Sequence, residues 1–436
     1  MGLETPEKIR EFQRKLYCKA KEEPKFRFYL LYDKVYREDI LEHAYQLAKS
    51  NRGAAGVDGK SFEDIEKEGR ANWLRMLGEE LREKRYKPQA VRRVMIPKAN
   101  GGERPLGIPT IRDRVVQTAV KLVIEPIFEA DFEDCAYGYR PGRSAQDAVK
   151  AAHQALCEGY TEVIDADLSK YFDTIPHREL LYAVARRISD KHMLHLIKMW
   201  LKVPVHEVNK NGKTTISGGK KTRQGTPQGG VISPLLANIY LNRFLRAWRE
   251  RKKGEQYNAR IVAYADDFVV LCKEAAHEAL QWIAWAIGNL GLTLNQQKTS
   301  IKNAWHEHFD FLGYTLGVET YSKDGHRYLG ARASNKSMQR IKEKVRAILT
   351  PSNSSPWNEV KEDLNAVLRG FTNYFSYGSR FRPYRALDNF VYHRVRSFLR
   401  RRHKIASRGT AQFPDSVVFG SLGVLRLRTV QLGTAP

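Results

Sequence analysis

Asp266 and Asp267 are adjacent carboxylates set between two apolar runs, in Arg260-Ile-Val-Ala-Tyr-Ala-Asp-Asp-Phe-Val-Val-Leu271. Neighbouring like charges repel and shift each other's pKa unless a cation or a donor neutralises them, and a divalent metal would do so. Short runs rich in β-branched and apolar residues predict buried strands, which puts the pair at or near a hairpin tip. Asp-Asp lacks the glycine that a tight type I′ turn favours, so turn chemistry alone does not account for it. Upstream, Glu162-Val-Ile-Asp-Ala-Asp-Leu-Ser-Lys-Tyr-Phe-Asp173 begins a second strand at Val163 and Ile164. Period-two alternation puts Asp165 and Asp167 on one face of it. A carboxylate near one strand end and an Asp pair at a neighbouring tip can hold two divalent ions about 4 Å apart, an arrangement that stabilises attacking and leaving oxygens in phosphoryl transfer. Mg²⁺ suits the task because it takes few carboxylates and completes its shell with water and phosphate, and Mn²⁺ is the natural substitute. Asp167 is the expected ligand of this stretch, while Asp165 and Asp173 are expected to make structural hydrogen bonds.

The 436 residues carry 74 Lys and Arg against 49 Asp and Glu, a net charge of +25. That excess is too large for a typical metabolic enzyme and implies a polyanionic partner, most simply nucleic acid, with an acidic membrane surface as the competitor. No apolar run approaches the roughly 18 residues of a membrane span, and no signal-peptide pattern opens the chain, so a soluble, intracellular protein of two or three domains is expected. Cys18, Cys135, Cys157 and Cys272 are scattered, which argues against disulfides and a zinc site. His192 and His195 have no ligand partner at metal spacing and are expected on the surface. No internal repeat is found.

The elements that must position these acids follow from periodicity. Residues 1–50 are helical in pattern. The loop Asn51–Gly59, dense in Gly, Asn and Asp, suits either a backbone approach to a phosphate chain or a plain helix connector, and its residues do not choose. Helical pattern resumes over 60–86, then Val91–Pro97 predicts a strand, Lys98–Gly102 a hairpin turn, and Arg104–Pro109 its return arm. Lys98 and Arg104, on opposite arms, could both reach one triphosphate, or could be two solvated charges on an exposed hairpin. A helix is predicted over 110–128. The loop Tyr137–Arg143 offers two Tyr with Arg140 and Arg143 to a nucleic-acid backbone. Further helices are predicted over 145–157 and 178–202, a hairpin over 203–222 with its turn at Asn211-Gly212, and a helix over 231–245. The polar, glycine-rich loop Arg223–Gly230 enters that helix and carries Gln228, whose amide could meet a sugar or base. After the Asp-Asp hairpin come a helix over 277–290, Lys298 following a short strand, a strand Phe309–Tyr314, and a basic helix over 335–349. Pro351–Pro356 is the best linker candidate. Beyond it Tyr374, Phe375, Tyr377, Phe381, Tyr384 and Tyr392 interleave with a strongly basic run from Arg380 through Arg382 to Arg400, Arg401 and Arg402, the composition of a nucleic-acid-binding surface.

Taken in order, the blocks Gly53–Gly59, Pro97–Pro109, Tyr137–Arg143, Asp165–Asp173, Gln224–Gly230, Tyr264–Asp267, Leu292–Lys298 and Phe311–Tyr314 resemble the reverse transcriptase and maturase proteins encoded by bacterial group II introns. The likeness spans nearly the whole chain. It implies an α+β, right-hand polymerase fold: an N-terminal extension over 1–60, fingers with part of the palm over 61–160, and an antiparallel-sheet palm with fingers insertions over 161–325. An α-helical thumb, or maturase domain X, would follow over 326–405, with a short basic tail over 406–436. Gly370–Phe375 resembles a maturase-specific signature. Residue by residue, the resemblance makes Asp167, Asp266 and Asp267 the catalytic metal-binding triad, and Lys98 and Arg104 contacts to the incoming triphosphate. Phe172 falls where such polymerases place an aromatic gate against a 2′-hydroxyl, although a core phenylalanine would look the same. Gln228 matches the nucleotide-pocket glutamine, and Lys298 a palm lysine near the phosphates that could protonate pyrophosphate. Phe311–Tyr314, with Gly313 and Tyr314, resembles the primer grip. The implied activity is RNA-directed DNA polymerisation with splicing assistance and retrohoming. The implied partners are intron RNA, a DNA primer and target DNA, and dNTPs, with a homodimer as an option, in the bacterial cytoplasm or nucleoid. No His/Asn cluster with paired Cys-x-x-Cys follows Lys404, so an HNH endonuclease domain is expected to be missing. Two other readings stay open: a related enzyme co-opted for defence, repair or CRISPR spacer acquisition, and a non-catalytic RNA-binding maturase.

Overall fold

The computed structural model describes residues 3–97, 102–208, 214–321 and 324–430. Lys98, the expected triphosphate contact, and the expected turn at Asn211-Gly212 lie outside them. The chain begins with helices α1 (Glu7–Glu22), α2 (Tyr32–Val35), α3 (Glu38–Ser50), α4 (Phe62–Glu68) and α5 (Arg70–Arg82). There follow β1 (Val91–Pro97), β2 (Glu103–Ile108), α6 (Ile111–Glu129), α7 (Ala145–Cys157), β3 (Glu162–Asp167), α8 (Tyr171–Thr174), α9 (His177–Ala185), α10 (Lys191–Leu201), β4 (Pro204–Val208) and β5 (Thr214–Gly218). Next come α11 (Ser233–Glu250), α12 (Lys253–Gln256), the hairpin β6 (Ala259–Tyr264) and β7 (Asp267–Cys272), α13 (Ala276–Asn289) and β8 (Ser300–Asn303). The last part holds β9 (Phe309–Phe311), β10 (Tyr314–Thr320), β11 (Arg327–Ala333), α14 (Asn335–Ile348), α15 (Trp357–Tyr374) and α16 (Phe381–Arg402). Among the described residues no helix is long and apolar enough to cross a membrane.

The central sheet has the order β6-β7-β3-β8 and is antiparallel throughout. Its strands β6 and β7 read as nearly unbroken apolar runs because both faces are covered, which removes the usual alternation. Ile164, Ala166, Ile261, Ala263, Phe268 and Val270 face one core, with α6, α11 and α13. Val163, Val262, Val269 and Leu271 face a second, with α7, the β9–β11 sheet and α14 to α16. A helix apolar all round has to be buried, and α6 is: Val115, Val116, Ala119, Val120 and Val123 are fully enclosed. Thr110 caps it, accepting from Asp113 N, and the buried Asp113 carboxylate is satisfied by Tyr86 Oη at 2.6 Å and Gln89 N at 3.0 Å.

A second sheet, β2-β1-β4-β5, joins two antiparallel hairpins through a parallel β1–β4 pair with Val91 opposite Val205. A third, β11-β10-β9, is antiparallel.

Several expectations are corrected. The helix over 178–202 is two helices, because Asp190 leaves the first to cap α10, accepting from His192 N, and also accepts from Leu31 N and Tyr32 N. The strand Phe309–Tyr314 is a hairpin, turned at Leu312 and Gly313, whose φ values are +51° and +79°. The short strand before Lys298 shrinks to a single bridge, Leu168 to Leu294. Pro351–Pro356 connects α14 to α15 inside one core and is no domain linker. The hairpin β10–β11 crosses the expected boundary at 325. The expected tail folds back: Val418, Val424 and Leu427 are buried in the second core, and Asp388 accepts from Leu427 N and Arg428 Nε.

Candidate active site

The antiparallel register sets Asp167, the last residue of β3, opposite Asp267, the first of β7. On the other side Asp267 pairs with Tyr264, so the β6–β7 turn consists of Ala265 and Asp266. Ala265 takes φ +55°, the left-handed conformation that glycine usually supplies in such turns. Asp165, Asp167 and Asp267 share one face by alternation, since Ala166 and Phe268 pack into the opposite core.

The turn is buttressed from outside. Residues 135–137 run along β6, with Tyr137 N donating to Ala263 O and Ala263 N to Cys135 O, each at 2.8 Å. This brings Gly138 against the turn so closely that a Cβ there would stand 2.4 Å from Ala265 N. From α11, Asn238 Nδ2 donates to Gly138 O at 2.7 Å and holds the buttress in place. The sequence flags this glycine only as part of a loop for nucleic acid.

Asp167 accepts from Lys298 Nζ at 2.9 Å and Asn295 Nδ2 at 3.2 Å. The hydrogen bond from Lys298 raises its ammonium above the ordinary value, so it keeps its proton. Burial raises Asp266. Asp267 keeps solvent on one side but sits in a crowded cleft, and burial, then Asp266, Asp167 and Asp165, push it up to about 6. Asp165 is paired with Lys302 at 3.2 Å. Among the described residues no three His, Cys, Asp or Glu side chains stand ready-set around an ion, and Asp167 is turned to its lysine. The donor chemistry nonetheless fits a hard divalent cation: carboxylates only, with the Asp167 charge raising Asp165, Asp266 and Asp267, as happens where positive charge is wanted.

Beside the acids, the loop carrying Gln228 is sewn to α8. Thr226 N donates to Phe172 O at 2.6 Å, Gly225 N to Ile175 O at 2.8 Å, and the buried His177 Nε2 to Gly225 O at 2.6 Å. Gly107 N of β2 donates to Gln228 O at 2.6 Å, and a Cβ on Gly229 would stand 2.1 Å from Gly107 O. The Gln228 amide accepts from Arg104 Nε at 3.2 Å and donates to both Asp173 oxygens at 3.3 Å. Arg104, Gln228 and Asp173 thus form one chain, and the Arg104 charge reaches far enough to offset part of the rise that burial causes at Asp266. The hydrogen bond expected of Asp173 has this partner, which sequence does not reveal. Phe172 is 6% exposed and packs on Tyr171. Tyr139, by contrast, is exposed; its ring lies 6.4 Å from that of Tyr264, and burial of its hydroxyl followed by the Asp266 charge raises its phenol.

Two families match in tandem. Residues 96–316 match Reverse transcriptase (RNA-dependent DNA polymerase), and residues 338–412 match Group II intron, maturase-specific domain. The chain is 38% identical to Protein YkfC of Escherichia coli K12 across 71% of its own length and 88% of that protein. It is 30% identical to Group II intron-encoded protein LtrA of Lactococcus lactis subsp. cremoris, across 84% of its length and 73% of LtrA. The chain belongs to the group II intron-encoded reverse transcriptases. Among solved structures, a partial Cas6-RT-Cas1--Cas2 complex matches at 24% identity over 59% of this chain and 42% of that one, with a TM-score of 0.36, too slight to carry an argument. As a reverse transcriptase with a maturase domain, the chain is an RNA-directed DNA polymerase whose family chemistry uses divalent metal ions and whose partner is intron RNA.

The basic and aromatic residues expected to touch nucleic acid divide sharply in this reverse transcriptase. Arg140 is a correction: it is buried, bonded to both oxygens of Glu129 and to the Glu133 and Ala136 carbonyls, so its charge holds the loop's shape. Tyr314 is another, fully buried against Phe375 with its hydroxyl donating to Tyr374 O. Gly313 sits in the β9–β10 turn and accepts from Ser337 of α14 at 2.9 Å. Arg143 is half-buried and paired with Asp134 at 2.9 Å. Arg380, Arg382, Arg401 and Arg402 are exposed and Arg400 half-buried; Arg382 reaches Thr320 O and Arg402 reaches Ser354 O.

Proposed function

We propose that this reverse transcriptase extends a DNA primer on an RNA template at the junction of β3 with the β6–β7 turn. The primer 3′-hydroxyl attacks the α-phosphorus of a dNTP; a P–O bond forms there as the bond to pyrophosphate breaks. Asp167, Asp266 and Asp267 would hold divalent ions, Mg²⁺ first among them, which when bound supply the positive charge that activates the hydroxyl and supports the leaving oxygen. Arg104 and Gln228 orient the nucleotide, with Asp173 fixing which way the Gln228 amide faces. Lys298 holds a proton at Nζ close to where pyrophosphate departs. Phe172, beside the Gln228 loop, lies under the sugar and excludes a 2′-hydroxyl. In this reading the central sheet is the palm, β2-β1-β4-β5 with the N-terminal helices the fingers, and α14 to α16 the thumb that grips intron RNA, primer and target DNA.

The register of Asp167 with Asp267, beside Asp266 in the turn, supports this reading most strongly. A second support is the hydrogen-bonded chain from Arg104 through Gln228 to Asp173, which links β2, the loop before α11 and α8, from distant parts of the sequence. The test is primer extension on an RNA template with Mg²⁺, comparing dNTPs with NTPs. Extension with dNTPs alone is expected, and Phe172→Val admits NTPs. Equal use of both by the unsubstituted chain would remove Phe172 from the mechanism, and no extension at all would sink the proposal.

A further inference from the structure

A groove of about 1120 Å³ is walled by the end of α1 and by α9, α11 and α13. The last two are the helices packed on the sheet face opposite Asp167 and Asp267, and none of the acidic trio lines it. Nine Lys and Arg face it against four acids, and the acids are all engaged. Asp131 pairs with Arg187, Glu133 with Arg249, Asp134 with Arg143 and Glu250 with Arg246. Lys25, Arg27, Arg186, Arg243 and Arg251 have no ion-pair partner among the described residues, so the groove's positive charge is uncompensated. Arg243 also keeps one guanidinium nitrogen buried without an acceptor. It forms a shared wall with an adjoining hollow of about 820 Å³ that adds Arg178, Lys191 and Lys198 against one acid, Glu179.

Aromatic rings are interleaved with these cations. Tyr182 is 70% exposed and Trp285 53%, and the Arg251 guanidinium lies 5.3 Å from the Trp285 ring centre. Solvated charge alone does not call for large exposed rings. Rings beside unpaired guanidiniums are what an unpaired nucleic-acid strand uses, its phosphates on the cations and its bases stacked on the aromatics. Helical RNA keeps its bases stacked inside and would leave the rings without partners.

We infer that this groove is a second RNA site, separate from the catalytic cleft, which takes a single-stranded segment of RNA. Arg27, Arg186 and Arg243 meet its phosphates; Tyr182 and Trp285 stack its bases. The inference rests on the reading that the chain works on RNA, and it places a stretch of the same or another RNA behind the sheet while the cleft is occupied.

The experiment uses the full chain with its cleft saturated by primed RNA–DNA duplex, and follows labelled oligouridine by fluorescence anisotropy across a salt series. Arg27→Glu with Arg186→Glu should weaken oligouridine binding at least tenfold and flatten the salt slope by about 0.7 for each phosphate left without its cation. Tyr182→Ala with Trp285→Ala, both exposed and so tolerated by the fold, should weaken it roughly tenfold with the slope unchanged. Primer extension at saturating template should stay within about twofold for both pairs. Unchanged oligouridine affinity in both pairs overturns the inference, as does a duplex RNA competing as well as a single strand. The two readings fail separately: loss of extension in the unsubstituted chain strikes the polymerase mechanism, whereas equal affinity in the groove variants strikes the groove.

Discussion

The acidic strand ends of the central sheet and the basic helix α16 hold the two densest charges that sequence picks out, and they are built in opposite ways. At these strand ends each carboxylate is fixed by backbone: Asp167 and Asp267 by cross-strand register, Asp266 by a two-residue turn pressed against Gly138. On α16 the charges ride long flexible side chains, with Arg382, Arg385, Arg401 and Arg402 exposed and Arg394, Arg396 and Arg400 half-buried. Backbone-fixed charge tolerates almost no displacement, because metal and phosphate geometry is set to fractions of an ångström. Side-chain charge on a helix tolerates the removal of any one member, because screened contacts to phosphates share the load. The first region should therefore fail abruptly under substitution and the second gradually.

The largest contrast is expected from Asp266→Ala with Asp267→Ala. Primer extension should drop by more than roughly a thousandfold while RNA affinity stays within a few-fold. A matching drop in affinity, read by filter binding, would make the pair structural and erase the contrast. Next comes Gly138→Val, which leaves all three acids unsubstituted but drives a side chain into the Ala265 backbone. A fall of roughly a hundredfold in kcat with a retained melting transition is expected; normal turnover would show that the turn holds itself. Asp173→Asn should be milder. It offers the Gln228 amide a partner that can also donate, so the amide loses its fixed orientation, and the KM for dNTP should rise about tenfold with kcat nearly kept. A change confined to kcat would move Asp173 out of nucleotide positioning. The smallest effect belongs to α16: Arg401→Ala should cost RNA affinity about twofold or less, and joint replacement of Arg400, Arg401 and Arg402 should also flatten the salt dependence. A single Arg401 change that abolished binding would break the comparison outright.

Much of the site is legible in the sequence because its signals are local. Strand alternation puts Asp165 and Asp167 on one face, and flanking apolar runs put Asp266 and Asp267 at a hairpin tip. Charge and aromaticity mislead when read without depth. Arg140 and Tyr314 have the residue types of nucleic-acid contacts, yet Glu129 turns one inward and the β9–β10 hairpin buries the other. The breaks inside 178–202 and 309–314 escape local pattern because the bonds that fix them, Asp190 to Leu31 and Ser337 to Gly313, join residues far apart in the chain.

Sequence by itself determined the acids, their strands, the overall positive charge and the order of motifs, since these depend on residue type and short-range period. Only tertiary structure decided that Asp167 faces Asp267 across a register, that Asp173 holds Gln228, that Gly138 supports the turn, and that cations from α1, α9, α11 and α13 gather around Tyr182 and Trp285. Each of those depends on contacts between residues far apart along the chain, and no local pattern encodes which distant partner a folded backbone will bring.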